Sequence, residues 1–281
     1  MKTIKRYQNA SIYFAENQSY LMQMEINNNL IIGLIKSYEN VSEIPDNVIV
    51  LTVFDEMEPR LTFFKNTSKG ILAGNNADKE DCELLIEYLQ NQGVLLEGLV
   101  GDEKYTDIFM RLYPLKISSM KKLISHELSI VNQVPLSNGL ARLANESEIA
   151  LLAHWFFLFQ EEEKLFPQKT AEGFIQHVQN LINKSLIYVW EINNEIVSMA
   201  TIVRETPNFQ IVGAVYTPLN QRKKGYASSL VHFLSQFILD NGKKAGLFTN
   251  ASNPTSNKIY QKIGYNPNGI VSDVEFERIS E

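Results

Sequence analysis

The sequence contains little cysteine and no long apolar run. Cys82 is the only cysteine among 281 residues, which excludes an intrachain disulfide and a zinc site made of several thiolates. Apolar stretches such as residues 151–159 are far shorter than the roughly 20 residues that span a bilayer. The N-terminal residues are charged and then polar, unlike a signal peptide. We therefore expect a cytoplasmic protein without a membrane partner.

An excess of positive charge is also missing. The chain has 26 lysines and arginines against 32 aspartates and glutamates, a formal net charge of -6. Nucleic acids and anionic membranes require broad basic surfaces, so we expect neither class of partner. His126, His177 and His232 show no spacing typical of metal ligands, and we predict no metal. Any anionic ligand must therefore be bound by a local group of cations and amides.

Three common catalytic or nucleotide-binding motifs are absent as well. Lys223 and Lys224 precede the glycine of their turn, whereas a P-loop needs its lysine after the glycine. No Gly-x-Gly-x-x-Gly follows a predicted strand, and the sequence has no Gly-x-Ser-x-Gly. These absences argue against a nucleoside triphosphatase, a dinucleotide-dependent enzyme and a serine hydrolase of the nucleophile-elbow type.

The periodicity of apolar residues predicts two domains, at 1–130 and 131–281. In the first, we predict helices over 11–38 that break near Asn27-Asn28-Asn29, and no regular element over 120–130. Later elements, in order, are strand 139–143, helices 146–160 and 170–183, hairpin 185–204, strand 209–217, helix 228–239, strand 244–250, helix 254–263 and strand 270–277. This order predicts a mixed α/β fold, with a mostly antiparallel central sheet flanked by helices.

One turn carries the clearest functional signal. Residues 221–227, Gln-Arg-Lys-Lys-Gly-Tyr-Ala, lie between the apolar run 211–216 and the helix predicted to follow. The start of a helix has unpaired N–H groups and about half a positive charge, so it binds phosphate. Gly225 and Ala227 leave room for a ligand to approach. The turn therefore predicts a local phosphate site in an otherwise acidic chain.

A second element follows the next predicted strand. Pro254 suits the first turn of a helix capped by Asn253. Asn257 and Tyr260 then lie on neighbouring turns, and Gly264 ends the helix. The spacing predicts that polar groups along this helix lie near the same ligand.

Together these two elements resemble the GNAT superfamily of acetyl-CoA-dependent N-acetyltransferases, over roughly residues 139–277. Arg222, Gly225 and Ala227 match the pyrophosphate-loop pattern of the family, and Asn253, Tyr260 and Gly264-Tyr265 match its closing pattern. Residues 28–34 and 96–101 are similar to the degenerate GNAT-like N-terminal domain of some two-domain bacterial members. The resemblance thus implies a GNAT fold preceded by a second, GNAT-like domain.

The resemblance also implies acetyl-CoA as co-substrate and assigns roles to residues. Backbone amides of the turn would hold the pyrophosphate, and the end of strand 209–217 would separate from its neighbour and bind pantetheine. Tyr260 would protonate the departing thiolate as the catalytic acid. The implied coenzyme-binding residues are Val215, Tyr216, Thr217, Arg222, Lys223, Lys224, Gly225, Tyr226, Ala227, Ser228, Asn250, Asn253 and Asn257.

The general base stays open at this stage. Many family members use a glutamate on the central strand, but residues 209–215 carry no carboxylate. The remaining candidates are His154, Glu191, Glu205 and Glu275.

The acceptor is also undecided by sequence. We expect a primary amine of a small molecule. A protein N-terminus or lysine, and a non-catalytic acyl-CoA sensor, are the alternatives. The acidic run 161–163 either attracts a cationic amine or ends a solvated helix. An oligomer is compatible with the sequence, which has no feature that selects one.

Overall fold

The computed structural model describes residues 1–164 and 169–277. The strands are β1 (Lys2–Arg6), β2 (Ile49–Asp55), β3 (Glu58–Lys65), β4 (Lys69–Gly74), β5 (Gly98–Asp102), β6 (Ile117–Leu128), β7 (Leu140–Leu143), β8 (Ile187–Ile192), β9 (Glu195–Glu205), β10 (Phe209–Tyr216), β11 (Lys244–Asn250) and β12 (Asn266–Phe276). The α-helices are α1 (Ala10–Met22), α2 (Glu25–Lys36), α3 (Lys79–Asn91), α4 (Glu103–Leu112), α5 (Ile149–Glu163), α6 (Ile175–Asn183), α7 (Tyr226–Asp240) and α8 (Pro254–Ile263).

The described residues form two compact units. The first contains Met1–His126, Thr249–Asn253 and the described part of Pro267–Glu281. The second contains Pro254–Asn266 and the described part of Glu127–Phe248. The predicted domains at 1–130 and 131–281 stay a prediction. The compact units differ from them because 249–253 and 267–277 lie in the first unit and 127–130 in the second.

Each unit contains a mixed sheet. In the first unit the strand order is β1-β2-β3-β4-β5-β12-β6, with β4 and β5 parallel across α3 and β12 antiparallel to β5. In the second unit the order is β11-β10-β9-β8-β7, with β10 and β11 parallel across α7 and the other pairs antiparallel. A parallel pair needs a crossover, which the helix supplies. The predicted mixed, mostly antiparallel sheet with flanking helices is confirmed.

Helices cover both faces of each sheet. In the first unit, Leu85 and Phe109 from α3 and α4 pack on one face, and Tyr13 and Ile31 from α1 and α2 lie in the core of the other. In the second unit, the two cores are made by α7 with α8 and by α5 with α6. Each fully buried leucine or phenylalanine contributes about 1.5–3 kcal/mol, so these clusters fix the helices against the strands.

The predicted helix break at Asn27-Asn28-Asn29 is wrong. Helix α2 runs through all three residues, and the chain leaves helical structure before it, between α1 and α2. Asn28 Nδ2 donates to the Leu21 carbonyl (3.0 Å) and Asn29 Nδ2 to the Ile26 carbonyl (2.6 Å). Both acceptors are carbonyls of α1 and α2 themselves, so these buried amides are satisfied locally while α2 continues through them.

Residues 120–130, for which we predicted no regular element, lie largely in the long strand β6. Its buried positions include polar residues, which hide the alternation that identifies a strand. Ser125 Oγ donates to Asn27 Oδ1 (2.7 Å), and His126 Nε2 bonds to Thr249 Oγ1 (2.9 Å). Hydrogen-bonded partners distant in sequence therefore replace the apolar side chains that the pattern requires.

His126 makes the stability of the first unit sensitive to pH. Its side chain is buried, and burial lowers the pKa of its imidazole below the usual 6.5. The unfolded chain binds a proton below about pH 6.5 while the folded imidazole stays neutral, so stability falls as the pH drops through that value. We expect wild-type protein to lose more stability between pH 7.5 and 5.0 than His126→Gln, measured by urea unfolding. An equal loss in the two proteins would contradict this role.

Candidate functional site

The turn between β10 and α7 presents a helix start without a cap. Gly225 precedes α7 with φ of 84°, a left-handed conformation that other residues adopt only with strain, and no capping side chain is found there among the described residues. The Ser229 N–H donates to the Gly225 carbonyl (2.9 Å). The amides of Tyr226, Ala227 and Ser228 therefore precede the helical ladder and can bind an anion.

The charged part of the turn is open to solvent. Lys223, Lys224 and Gly225 are all exposed. Lys224 Nζ donates to Gln221 Oε1 (2.9 Å) and lies 5.9 Å from the centre of the Tyr226 ring. Two exposed cations thus flank the exposed amides, the arrangement expected for a phosphate site.

Ser137 is part of this turn, although the sequence analysis did not identify it. Its N–H and its hydroxyl both bond to Ser229 Oγ, at 2.8 and 2.9 Å. A Cβ atom on Gly225 would lie 2.9 Å from Ser137 Oγ. This contact joins residues far apart in sequence, so no local pattern predicts it. Ser137 closes one side of the turn and favours glycine at position 225.

The end of β10 departs from regular pairing. Gly213 is opposite Thr201 and Tyr216 is opposite Met199, so β10 holds one residue more than β9 in this interval. Ala214 has φ of 46°, which marks this irregularity as a β-bulge. The parallel register with β11 ends at the pair Val212 and Leu247, although β10 continues to Tyr216. Backbone groups near Val215 therefore lie beyond the described ladder with β11.

Arg222 contacts the end of β10 as well as the turn. Its Nε donates to the Thr217 carbonyl (2.8 Å), and its guanidinium lies 5.6 Å from the centre of the Tyr216 ring. Nη2 also donates to both carboxylate oxygens of Glu162, at 2.8 and 2.7 Å. Burial raises the pKa of Tyr216; the negative charge of Glu162 raises it further, and Arg222 opposes this.

Tyr260 is half-buried on α8. Its ring meets Tyr265 edge-on, with centroids 6.1 Å apart. Burial raises the pKa of Tyr260 to about 12, and the negative charge of Glu163 adds to the rise. The hydroxyl is therefore protonated at neutral pH and able to donate. On the preceding turn, Asn257 has a buried Oδ1 without a hydrogen-bond partner among the described residues, so it can accept from a ligand.

Asn250 and Asn253 belong to the segment Thr249–Asn253, which lies in the first unit. Asn250 Oδ1 accepts from Ser252 N (3.0 Å) and from Ser252 Oγ (2.7 Å). The Asn253 N–H donates to the Asn250 carbonyl (2.9 Å). The segment is thus a tight turn. Asn250 and Asn253 remain predicted coenzyme ligands. The contacts described above for the turn, the end of β10 and Tyr260 all lie within the second unit.

The three carboxylates considered as bases are each bound to a cation. Arg142 Nε donates to Glu191 Oε2 (2.6 Å), and Lys243 Nζ donates to Glu205 Oε1 (2.5 Å). Glu275, in the first unit, lies 3.3 Å from Lys69 Nζ. Each of these carboxylates is therefore engaged with a cation in the described structure. None of the three is singled out as a catalytic base.

Two of the histidines of the second unit pack against aromatic rings. His154 stacks on Phe157 with centroids 6.3 Å apart, and His177 meets Phe156 edge-on at 5.1 Å. Burial lowers the pKa of His177, with the positive charge of Lys169 as a further cause. A lower pKa makes the imidazole a weaker base, so this shift does not single out His177 for catalysis.

The first unit has the same succession of strand, turn and helix at β4 and α3, but its turn is filled by the chain itself. The Asn75 and Asn76 amides donate to the hydroxyls of Tyr20 and Tyr105, both at 2.8 Å. Asp78 and Asp81 form a reciprocal capping box at the start of α3. Bound amides and acidic side chains disfavour phosphate, so of these two described turns the one in the second unit has the properties of an anion site.

Two further properties concern the described residues alone. They contain no group of three or more histidine, cysteine, aspartate or glutamate side chains that could hold a metal ion. Within the same residues, none of the helices has the length and apolar character needed to cross a membrane.

Comparisons with known proteins identify the fold. Residues 192–269 match the model of a family described as FR47-like protein. An acetyltransferase from the GNAT family from Colwellia psychrerythraea has a TM-score of 0.58 and 11% identity, and the match covers 98% of this chain and 100% of that chain. A GCN5-related N-acetyltransferase from Sphaerobacter thermophilus has a TM-score of 0.63 and 13% identity, with 99% and 97% covered.

A tandem GNAT protein from the clavulanic acid biosynthesis pathway matches with a TM-score of 0.57 and 7% identity, over 100% of both chains. No curated protein sequence matches the chain. At these identities the likeness shows the fold, which is that of two-domain GNAT proteins. The predicted resemblance to the GNAT superfamily is confirmed.

The need for glycine at the turn can be tested with a matched pair of variants. Gly225 and Gly242 both have positive φ, 84° and 77°, but a Cβ on Gly242 would meet nothing within 4 Å. Alanine at either site costs about 1 kcal/mol of backbone strain. We expect Gly225→Ala alone to weaken acetyl-CoA binding, by about tenfold, the equivalent of one hydrogen bond to a charged group.

Isothermal titration calorimetry measures the affinity of each variant for acetyl-CoA. Urea unfolding measures the loss of stability that backbone strain causes in both variants. Equal affinity of Gly225→Ala and the wild type would contradict the assignment of the turn. An equal loss in both variants would show that strain, and not contact with the ligand, is responsible.

Proposed function

We propose that the second unit transfers an acetyl group from acetyl-CoA to a primary amine of a small molecule. The observation that carries the proposal is the uncapped start of α7, where exposed Lys223, Lys224 and Gly225 adjoin the irregular end of β10. The fold supports acyl transfer in general; the coenzyme and the amine are the proposed part.

The turn would hold the diphosphate of the coenzyme. Amides of residues 225–228 would donate to its oxygens, with the helix dipole and the two exposed lysines balancing its charge. The hydroxyl of Ser137, held by Ser229, lies at the same turn and is a further possible donor. The first unit, with a filled turn at α3, would bind no second coenzyme.

The pantetheine arm would bind where β10 loses its parallel neighbour. Backbone groups of Val215, Tyr216 and Thr217 are candidates for its amides, and the buried Oδ1 of Asn257 can accept a further N–H. Asn250 and Asn253 are proposed contacts on the basis of the sequence resemblance.

The chemistry needs one proton donor on the coenzyme side. The amine nitrogen attacks the acetyl carbonyl, the carbon–sulfur bond breaks, and Tyr260 gives its hydroxyl proton to the departing sulfur. A backbone N–H of Val215 or Tyr216 would polarise the carbonyl oxygen. The proton that the amine loses leaves to a base or to water.

Acidic side chains favour an amine as acceptor. Glu163 raises the pKa of Tyr260, so a negative charge acts on the proposed acid, whereas the charge of Glu162 is paired with Arg222. The negative potential of Glu163 favours a cationic amine. The acidic chain and its single, buried cysteine suit a cytoplasmic reaction in which neither nucleic acid nor membrane takes part.

A non-catalytic acyl-CoA sensor is the second candidate. It is favoured by the absence of a carboxylate on β10 and by the pairing of Glu191 and Glu205 with cations. Release of free CoA thiol from acetyl-CoA distinguishes the two functions when small amines and peptides are supplied in parallel. Turnover with a small amine supports the proposal. Turnover with peptides alone would show that the acceptor is a protein or peptide amine. Tight acetyl-CoA binding without any turnover favours the sensor.

The role of Tyr260 gives a sharper test. Tyr260→Phe removes the proton donor and keeps the ring, so we expect kcat to fall by about 10²-fold while acetyl-CoA affinity changes little. Tyr88→Phe, a partly buried tyrosine on α3, is the matched control and should keep full activity. Unchanged kcat in Tyr260→Phe would refute the acid role.

A further inference from the structure

Arg222 differs from the other cations of its turn because several groups fix its side chain. Nε is bound to the Thr217 carbonyl at 2.8 Å, and Nη2 is bound to both oxygens of Glu162. Lys223 and Lys224 on the same turn are exposed. The turn therefore carries two cations open to solvent and one that is held against the end of β10.

The end of β10 needs such support. Beyond the pair Val212 and Leu247 it no longer has the described parallel ladder with β11. Ser198 of β9 supports it from one side, since its hydroxyl donates to the Tyr216 carbonyl (3.1 Å) and bonds to Thr217 Oγ1 (2.8 Å). Arg222 supports the same two residues through the Thr217 carbonyl and the Tyr216 ring.

Glu162 completes the arrangement from α5. A guanidinium has five donors in a rigid plane, so a carboxylate that fixes Nη2 also fixes the direction of Nε. Lysine has a single nitrogen and a flexible stem, and it cannot fix two directions in this way. The side chains of Arg222 and Glu162 are 37% and 41% exposed, so the pair adds little stability and its effect is one of orientation.

We propose that Arg222 and Glu162 form a positioning pair that holds the Tyr216–Thr217 end of β10 for the pantetheine arm, and that Arg222 is not the counter-ion of the diphosphate. Glu162 acts through Arg222, and Arg222 acts through the backbone of β10. The inference rests on the proposed function, because it concerns how the same coenzyme site is built.

Two ligands separate these roles. Acetyl-CoA carries the diphosphate, and S-acetylpantetheine has the same thioester arm without it. We expect Arg222→Gln to weaken both ligands by the same factor, about tenfold, as for the loss of one hydrogen bond from a charged donor. Lys223→Gln removes the same charge from the neighbouring position and should weaken acetyl-CoA alone. Dissociation constants are measured by calorimetry for acetyl-CoA and by competition for S-acetylpantetheine.

Glu162→Gln is the milder second variant. It keeps an acceptor for Arg222 but removes the ion pair, so we expect both ligands to bind about threefold more weakly. The double variant Glu162→Gln/Arg222→Gln should bind as Arg222→Gln does, because Glu162 has no effect without its partner. Thermal unfolding of each variant checks that the chain is folded.

Each outcome decides between the roles. If Arg222→Gln weakens acetyl-CoA but not S-acetylpantetheine, Arg222 is a diphosphate ligand and the proposal is wrong. Additive losses in the double variant, or unchanged affinities in Glu162→Gln, also overturn the positioning pair. If the wild type binds neither ligand, the proposed function itself fails, which is a separate and recognisable result.

Discussion

The uncapped start of α7 is the constraint on which the rest of the site depends. A helix start must satisfy its first amides with side chains, water or a ligand. Gly225 offers no side chain, and its left-handed conformation, with Ser137 Oγ against it, disfavours one. The amides are therefore open to water or to a ligand, and the exposed lysines beside them favour an anion.

The first unit shows the opposite solution of the same problem. At α3 the Asp78 capping box satisfies the helix start, and two tyrosine hydroxyls bind the amides of the preceding turn. Both units place a strand, a turn and a crossover helix in a mixed sheet, so their difference lies in side chains and not in topology. The two turns thus differ in whether the chain itself or a ligand can satisfy their amides.

The sequence predicted features that depend on neighbours along the chain. The turn at 221–227 and the hairpin at 185–204 follow from local spacing, and the structure contains both of them. Contacts across large sequence separations were not predictable in this way. The cations at 222–224 look equivalent in sequence, and only folding shows that Glu162, 60 residues earlier, holds Arg222. Ser137 was missed for the same reason, and the polar interior of β6 concealed a strand.

The central claim is that one turn, in the second unit, binds the coenzyme. Calorimetric titration of the full wild-type chain with acetyl-CoA tests it directly, since it counts sites without reference to the acceptor or to any variant. The account predicts saturable binding of one acetyl-CoA per chain. Two sites of similar affinity would show that the filled turn at α3 also binds coenzyme, and the absence of binding would show that the start of α7 is not a coenzyme site.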